Sequence, residues 1–415
     1  MVSEEVEGVT LLNCRSICVG VVSVFPPKGS RHAGFGGVAS YAKNLAVCLS
    51  DLCKVVVFAD RLCGVSDTYC EDGVWVCRCW DRGLFYPFRI FWNAARWRGR
   101  VDVFHVQHEY FLFGGVFSAV LFPFLLFLLK LFRKPIVVTL HGVISLSVID
   151  REFLRDNMIG GFPFVFRLGA LGLTRLIACF ADALVVHDEF FRRVLVDEYG
   201  VCESKVFVVP HGIEEVREVI DREEAKRILG VGGKKVLLFF GYIAGYKGLE
   251  LLIDAFKFLK DDEDFVLFIA GGEHPRLRGK RRYREYLRGL RERARRVSDR
   301  IIFTGFVPED KVPIYFSAAD LVIFPYKTVM SSSGPINLAI AYRKPFLVSN
   351  VMNLIYRSSA SFPLSAVCLS KVIESFFNDN TSHEVVLEIL EGKMENCRWD
   401  TVRDLAFSLY RRVLS

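Results

Sequence analysis

A stretch in the C-terminal part of the chain combines residue types from which proteins build anion sites. The apolar segment Leu321–Phe324 predicts a buried strand, and three serines (residues 331–333), Gly334 and Pro335 follow in the next loop. Serine favours the N-cap of a helix, glycine lets a ligand approach the backbone, and proline suits the first helical turn. Free N–H groups and the helix dipole would attract an anion there. An ordinary capped helix would carry the same residues, so this stretch alone leaves both interpretations open.

Two glycine-rich loops follow predicted strands and precede predicted helices. The first ends with Gly36 and Gly37, and the second begins at Gly241 and carries Lys247. Glycine pairs allow a ligand to come close to the backbone, and a lysine just before a helix is well placed to bind a phosphate. A lysine exposed on the surface would fit the second loop equally well.

Histidines follow three predicted strands in the N-terminal half. His108, with Glu109 beside it, ends one strand, and His141 and His187 end two later ones. The carboxyl ends of parallel strands meet at one edge of a sheet, which is where open α/β sheets bind ligands. Any one of these histidines could be structural, but three at one edge predict that at least one of them functions.

The elements that position these groups alternate between strand and helix. In the first half, apolar segments predict strands at residues 16–24, 54–58, 74–77, 101–107, 135–140, 182–186 and 206–209. In the second half, they predict strands at residues 235–240, 265–270, 300–304, 321–324 and 345–348. This alternation is typical of parallel sheets covered by helices, and 415 residues exceed one ordinary domain. We therefore expect one α/β domain over residues 1–212 and another over residues 213–398.

One segment has the length and apolarity of a membrane span. Residues 111–129 are nineteen uncharged residues, in a chain that is 52% hydrophobic with 37 phenylalanines. The predicted strands on both sides belong to one sheet and must stay on one side of a bilayer, so the segment is either a buried helix or an interfacial one. Three basic residues at positions 130, 133 and 134 favour peripheral membrane contact through residues 111–134.

Charge and cysteine usage set further expectations. The arginine-rich residues 276–300 fit a solvated helix or one attracted to anionic lipid, and no nucleic-acid-binding signature accompanies the net charge of +7. The twelve cysteines contain no CxxC pair or zinc spacing, so we expect buried thiols and no metal site. Residues 1–8 are acidic and lack a signal pattern, which favours a cytoplasmic protein on the inner face of the membrane.

The order of these motifs over nearly the whole chain resembles the retaining GT-B glycosyltransferases of family 4. The matching motifs are Gly36-Gly37-Val-Ala-Ser40, Thr139-Leu-His141-Gly142, Val209-Pro-His-Gly212, Gly241 through Lys247-Gly248, Gly271-Gly272, Thr304-Gly-Phe-Val-Pro308, Ala319-Asp320, Ser331 through Pro335, and Trp399-Asp400 with Tyr410. The resemblance implies two Rossmann-like domains with parallel sheets facing across a cleft. It also implies that the last helix, residues 399–415, crosses back onto the N-terminal domain.

The resemblance also implies roles for individual residues. Lys247 and the backbone of the serine loop would bind a diphosphate, Phe306 and Val307 would flank the base, and His141 would lie beside the donor sugar. Donor-binding positions are, in chain order, Gly36, Gly37, Gly241, Lys247, Gly271, Phe306, Val307, Ser332, Ser333 and Gly334. His108 and Glu109 are assigned to the acceptor side. No metal or other cofactor is expected, because the helix dipole and basic residues would offset the charge of the leaving group.

Three positions depart from the family pattern. Tyr242 stands where the family often has an arginine, and Met330 and Leu338 stand where it often has two glutamates. The expected function is transfer of a hexose, with retention, from a UDP- or GDP-linked donor to a glycan or lipid-linked acceptor. A degenerate GT-B protein that binds nucleotide-sugars without turnover, a sugar-nucleotide epimerase and a phosphorylase are the alternatives.

Overall fold

The structure is a computed structural model that describes residues 17–30, 37–216, 218–259, 261–357, 361–378, 394 and 396–415. Within these residues, the strands fall into two separate sheets. Almost all of the strands coincide with the apolar segments predicted from the sequence. The chain therefore has the predicted architecture of two parallel-sheet α/β domains.

The first sheet has the strand order β3-β4-β2-β1-β5-β6-β7-β8. Its strands are β1 Cys18–Ser23, β2 Lys54–Asp60, β3 Thr68–Glu71, β4 Val74–Trp80, β5 Val103–His108, β6 Ile136–Leu140, β7 Ala183–Val186 and β8 Val206–Val208. Its helices are α1 Gly37–Ser50, α2 Tyr86–Trp97, α3 Val116–Val120, α4 Phe122–Lys130, α5 Arg151–Asp156, α6 Pro163–Phe180 and α7 Glu189–Arg193. The neighbouring strands pair in parallel except for β3 and β4, which pair antiparallel.

The strand β3 was not among the predictions. It forms a hairpin with β4 across Asp72 and Gly73, whose φ angles are +49° and +76°. Two successive residues with positive φ match the hairpin turn that an Asp-Gly pair favours. The sequence therefore contained a signal for β3, although the strand itself is short and half exposed.

The second sheet has the strand order β11-β10-β9-β12-β13-β14. Its strands are β9 Lys235–Phe240, β10 Phe265–Ala270, β11 Ile301–Gly305, β12 Leu321–Phe324, β13 Phe346–Ser349 and β14 Ser361–Phe362. Its helices are α8 Arg222–Ile228, α9 Leu249–Leu259, α10 Arg281–Val297, α11 Val312–Ala318, α12 Gly334–Ala341, α13 Asn353–Tyr356 and α14 Ala366–Asn378. All of the pairs in this sheet are parallel, which brings the loops after β9 and β12 to the same edge.

The last helix, α15 (Trp399–Leu414), follows the second sheet in the chain but packs on α1. Its Tyr410 is fully buried, and the phenol lies 2.6 Å from Nδ1 of His105 on β5. At the start of the helix, a β-carbon on Gly212 would meet the Trp399 ring at 2.4 Å, so this close approach requires glycine. The helices α1 and α15 thus cover one face of the first sheet, and α2, α4 and α6 cover the other.

The apolar residues 111–129 form two short helices, α3 and α4, instead of one long helix. Phe122, Leu125, Leu126 and Leu129 are buried against the sheet, whereas Phe117 is 78% exposed. The buried-helix alternative therefore describes α4, whereas contact of the exposed side chains with a membrane stays a prediction. By length and composition, one helix in the described part of the chain could cross a membrane, Pro163–Phe180. Here it connects two parallel strands of one sheet and packs beside α4.

Candidate active site

Loops from the two sheets meet across a cleft. After β6, the Val143 N–H donates to the Met330 carbonyl at 2.8 Å, which joins the His141 loop to the loop after β12. Nearby, Lys327 pairs with Asp156 at 2.9 Å. In both sheets these loops leave the carboxyl ends of parallel strands, the position at which open α/β sheets bind ligands.

Lys247 provides a buried positive charge on the C-terminal side of this cleft. Its side chain is only 6% exposed, and its ammonium Nζ lies 5.3 Å from the centre of the Tyr326 ring and 5.9 Å from that of Phe239. Burial lowers the pKa of Lys247 from its usual 10.5 to about 7, and no carboxylate offsets this effect among the described residues. A negatively charged ligand would supply the missing counter-charge.

Glycines bring the backbone close to this ammonium. Gly241 has a φ of +123°, and a β-carbon there would lie 2.9 Å from the Lys247 Nζ and 3.0 Å from Pro335. A β-carbon on Gly271 would come within 1.9 Å of the Gly241 carbonyl oxygen. Glycine at position 241 therefore keeps space open beside Lys247 and the start of α12, and Gly271 lets the loops after β9 and β10 approach each other.

The helix α12 begins at Gly334 with the predicted serine, Ser333, at its N-cap. The predicted N-cap serine is thus confirmed, but its hydroxyl makes no capping hydrogen bond. The Ser333 N–H donates to the Tyr356 hydroxyl of α13 at 2.8 Å, and this hydrogen bond holds the loop in place. A β-carbon on Gly334 would meet no atom within 4 Å. The start of the helix is thus open and uncapped, as an anion site at a helix N-terminus requires.

Phe306 and Val307, which were expected to flank a base, follow β11 at the side of the same loops. Phe306 is 62% exposed, whereas Val307 is buried. A β-carbon on Gly272 would lie 2.9 Å from the Phe306 β-carbon, so Phe306 lies directly against the loop after β10. An exposed aromatic ring beside this loop offers a stacking surface.

On the other side of the cleft, His141 is buried and both of its ring nitrogens contact protein side chains. Its Nε2 lies 2.8 Å from Oε1 of Gln107, and its Nδ1 lies 3.1 Å from Nε2 of His187. His187 Nδ1 in turn lies 2.9 Å from the Val209 carbonyl. A substrate group that binds the His141 ring nitrogen Nε2 would have to replace Gln107.

The carbonyl at the end of this chain decides the tautomers. A carbonyl only accepts, so His187 Nδ1 carries a proton and its Nε2 accepts from His141 Nδ1. Burial and the neighbouring His187 and His211 lower the pKa of His141 well below its usual value. The neutral ring can then only accept at Nε2. This requires the Gln107 amide to be reversed relative to the Oε1 contact given above, so that its nitrogen donates to the ring. The orientation of Gln107 thus depends on the charge of His141.

His108 and Glu109 lie next to each other but differ in environment. His108 ends β5 and is 3% exposed; neither of its ring nitrogens has a hydrogen-bond partner among the described residues. The Glu109 side chain keeps contact with solvent, yet the protein around it raises the pKa of its carboxyl, and this desolvation outweighs the attraction of Arg276 and Arg82. Of the two residues, Glu109 is therefore the one that can meet a ligand in the cleft.

Four residues near the cleft were not identified from the sequence. Gln107 holds His141, and the Tyr41 ring lies 4.8 Å from His141 and 5.1 Å from His211. His211 contacts Asn337 of α12 at 2.9 Å, which joins the two halves. The Arg276 guanidinium, from the second half, lies 4.2 Å from the centre of the Phe111 ring in the first half. Their partners are distant in the sequence, and the only available signal was the His211-Gly212 pair within a recognised motif.

The predicted loop residue Gly36 lies outside the described residues, whereas Gly37 begins α1 and is exposed. The described start of the loop before them is held by Arg78, which is 1% exposed. Its guanidinium donates to the carbonyls of Phe25 and Pro26 and to the Tyr69 hydroxyl. The Asp60 carboxylate accepts from the Phe25 N–H at 3.0 Å, so a buried pair of opposite charges fixes the course of the chain there.

The residues at the atypical positions do not supply acidic groups. Met330 contributes its backbone carbonyl to the contact between the domains, and Leu338 lies partly buried on α12. Tyr242 packs with its ring 5.9 Å from His274. Across the described residues, no group of three or more histidine, cysteine or acidic side chains is arranged to hold a metal ion.

Comparisons with known proteins match each half of the chain to a glycosyltransferase family model. Residues 35–217 match the family described as Glycosyltransferase Family 4, and residues 221–355 match the family described as Glycosyl transferases group 1. The first match spans β2 to β8 of the first sheet, and the second spans β9 to β13 of the second sheet. The chain belongs to the GT-B glycosyltransferases of the family 4 type. The family and fold that the motifs resemble are therefore confirmed, whereas retention of configuration stays a prediction.

Solved structures support the same fold for this GT-B chain. Sucrose-phosphate synthase from Thermosynechococcus elongatus is 16% identical with a TM-score of 0.72, and the match covers 96% of this chain and 99% of that one. The Anabaena protein Alr3699/HepE, solved in complex with UDP-glucose, is 17% identical with a TM-score of 0.69, and the coverage is 95% and 99%. At these identities the likeness shows the fold alone.

Curated relatives of this GT-B chain match over shorter segments. Alpha-monoglucosyldiacylglycerol synthase of Streptococcus pneumoniae (strain ATCC BAA-255 / R6) is 26% identical over 229 residues, which cover 50% of this chain and 48% of the relative. The putative glycosyltransferase YtcC of Bacillus subtilis (strain 168) is 27% identical over 205 residues, covering 47% and 48%. This chain thus spans about half the length of these two relatives.

Proposed function

We propose that this protein transfers a hexose from a nucleotide diphosphate sugar to an acceptor, with retention of configuration. The observation that carries the proposal is the buried Lys247, whose charge has no carboxylate partner among the described residues, beside the uncapped start of α12. A diphosphate would satisfy both groups: the ammonium would pair with its oxygens, and the N–H groups of the first helical turn would donate to it.

In this proposal, the sugar lies between the diphosphate and His141, and the base lies on Phe306. The bond between the anomeric carbon and the diphosphate oxygen breaks, and the acceptor hydroxyl oxygen forms the new bond on the same face. The hydroxyl proton goes to the departing phosphate oxygen. Lys247 and the helix dipole stabilise the negative charge that develops on the leaving group, so no metal ion or other cofactor is included.

The donor is proposed to be UDP- or GDP-linked, and the acceptor to be a lipid-linked or membrane-borne glycan or lipid. The UDP-glucose complex of the Anabaena protein supports the first part, and the name of the pneumococcal relative, a diacylglycerol glycolipid synthase, supports the second. The exposed apolar side chains of residues 111–134 support peripheral contact with a membrane. We place the protein in the cytoplasm, on the inner face of the membrane.

The test is incubation of the purified chain with a panel of UDP- and GDP-sugars, with and without a membrane lipid extract. A transferase releases free nucleotide diphosphate only when the extract is present. An epimerase changes the donor sugar without the extract, a phosphorylase requires inorganic phosphate, and a nucleotide-sugar-binding protein without turnover leaves every donor intact. Any of the last three results would contradict the proposal.

A further inference from the structure

Six exposed apolar side chains lie at the beginnings of three helices of the N-terminal domain. They are Phe85 and Phe88 at α2, Val116 and Phe117 in α3, and Phe164 and Leu168 in α6, and we call them the apolar rim. Their exposed fractions are 71%, 46%, 65%, 78%, 61% and 62%. Single exposed apolar residues are ordinary on a protein surface, but a cluster of this kind marks a contact surface.

The topology brings these six side chains to one edge of the sheet. The helices α2, α3 and α6 come after the parallel strands β4, β5 and β6, so each begins near the carboxyl edge of the sheet, on the same side as the cleft. The segments are also directly connected. The Gly83 N–H, before α2, donates to the Phe113 carbonyl, before α3, at 3.0 Å. The Phe88 ring meets Phe124 of α4 at 5.5 Å, and α4 packs against α6.

The rim adjoins the acceptor side of the cleft. Glu109 and Phe111 lie in the short segment between β5 and α3, seven or fewer residues before the rim residue Val116. From the other domain, the Arg276 guanidinium lies 4.2 Å from the centre of the Phe111 ring, and its charge also acts on the Glu109 carboxyl. Polar groups able to bind a head group therefore lie just inside a mouth that is lined with apolar side chains.

At the far end of the same helix layer, basic side chains pair with acidic ones. Lys130, at the end of α4, pairs with Asp182 at 2.7 Å, and Lys134 lies 3.8 Å from Asp102. Two of the three basic residues that suggested lipid contact are thus paired within the protein. Exposed apolar side chains also occur there, at Leu131 and Leu176, but the largest exposed fractions in these helices lie at the cleft end.

We propose that the acceptor is a bilayer-resident amphiphile, whose head group reaches Glu109 and Arg276 while its apolar chain stays in the membrane against the apolar rim. This inference rests on the proposed transferase function and specifies how the acceptor enters. A protein partner seated on the rim would close the mouth of the cleft, whereas a fluid bilayer covers the apolar side chains and still supplies substrate through the mouth.

The first experiment measures co-sedimentation of the full chain with vesicles, using Phe117→Gln, Phe164→Gln and a matched control. The control is Leu131→Gln, which alters a side chain that is 56% exposed at the far end of the same helix layer. Vesicles are phosphatidylcholine alone or mixed equally with phosphatidylglycerol, at low and high salt. Each rim variant should partition at least about tenfold more weakly than wild type, since each removes one phenylalanine from the interface, whereas Leu131→Gln should partition as wild type does.

Three outcomes would overturn the inference. The wild type stays in the supernatant with both kinds of vesicle, or Leu131→Gln loses binding as much as the rim variants do. In the third, binding requires phosphatidylglycerol and disappears at high salt, which would assign it to basic residues such as those of α10. Thermal unfolding and UDP or GDP binding, measured on every variant, should match wild type, so that a loss of vesicle binding reports on the surface alone.

The second experiment follows nucleotide release with the lipid extract supplied either in vesicles or dispersed in detergent. Rim variants should be slow with vesicles and should recover wild-type rates in detergent, because detergent brings the acceptor to the cleft without a bilayer. A rim variant that is equally impaired in both forms would contradict the delivery role. If wild type releases no nucleotide in either form, the proposed function fails, and the vesicle comparison still decides whether the rim binds a bilayer.

Discussion

Replacing Lys247 by methionine should have opposite effects on stability and on ligand binding. Methionine keeps most of the volume but removes the charge, and the Lys247 side chain is 6% exposed without a counter-ion among the described residues. The free protein should become more stable, because a buried charge is costly without a partner. Binding of a nucleotide diphosphate should become weaker, because the same charge pairs with the phosphates.

The stability gain of Lys247→Met over wild type should decrease as the pH rises. The pKa of Lys247 is about 7 in the folded protein against 10.5 in the unfolded chain. Between these values the unfolded chain holds a proton that the folded protein has released, so the free energy of unfolding of wild type rises with pH. Lys247→Met lacks this dependence. Its gain over wild type should be largest below pH 7, at most about 5 kcal/mol, and should vanish above pH 10.5.

For binding, loss of a charge-assisted hydrogen bond of roughly 1.5–3 kcal/mol predicts a dissociation constant for UDP or GDP about tenfold higher or more. Binding to wild type above pH 7 should take up a proton, because the phosphates favour the charged ammonium. Calorimetry in buffers of different ionisation enthalpy measures this uptake. The exposed lysine variant Lys257→Met is the control. Equal affinities for wild type and Lys247→Met, or a less stable variant at pH 6, would refute the reasoning.

Three further predictions concern other parts of the site. His141→Gln should lower kcat with little change in nucleotide affinity, and normal turnover would remove the catalytic assignment. Phe306→Ser should weaken UDP or GDP binding about tenfold or more through lost base stacking, worth about 1–3 kcal/mol, but leave pyrophosphate binding unchanged; equal losses for both ligands would contradict it. Arg78→Met should cost about 3–5 kcal/mol in chemical denaturation by leaving Asp60 unpaired, and adding Asp60→Asn should recover part of this loss; an additive effect would contradict the pairing.

The fold was largely predictable because its strands are buried runs of apolar residues. β9, β10 and β12 begin and end at the predicted residues, since each run is bounded by polar residues, glycine or proline. The hairpin strand β3 was missed, because only one of its four residues, Tyr69, is buried and apolarity alone does not mark it. Hydrophobic burial thus sets the sheet, whereas its edge depends on turn chemistry.

The candidate site was predictable only where a local motif carries it. Gly241, Lys247 and Gly334 lie in loops that the sequence itself marks, and the structure brings them together. The partners of His141 are 34 and 46 residues away in the chain, and no local pattern connects them. The apolar rim was predictable only in part. Val116 and Phe117 lie in the apolar segment that the sequence itself marks, whereas only the topology of the sheet places the side chains of α2 and α6 at the same edge.

The most direct test of the central claim is transfer of a carbon-13-labelled hexose from a nucleotide donor into the lipid-extractable fraction, with the new linkage analysed by NMR. We predict that the label enters that fraction with the α configuration of the donor retained. A β linkage would contradict retention. Tight binding of UDP or GDP without transfer from any labelled donor would contradict the assignment of this chain as an active transferase.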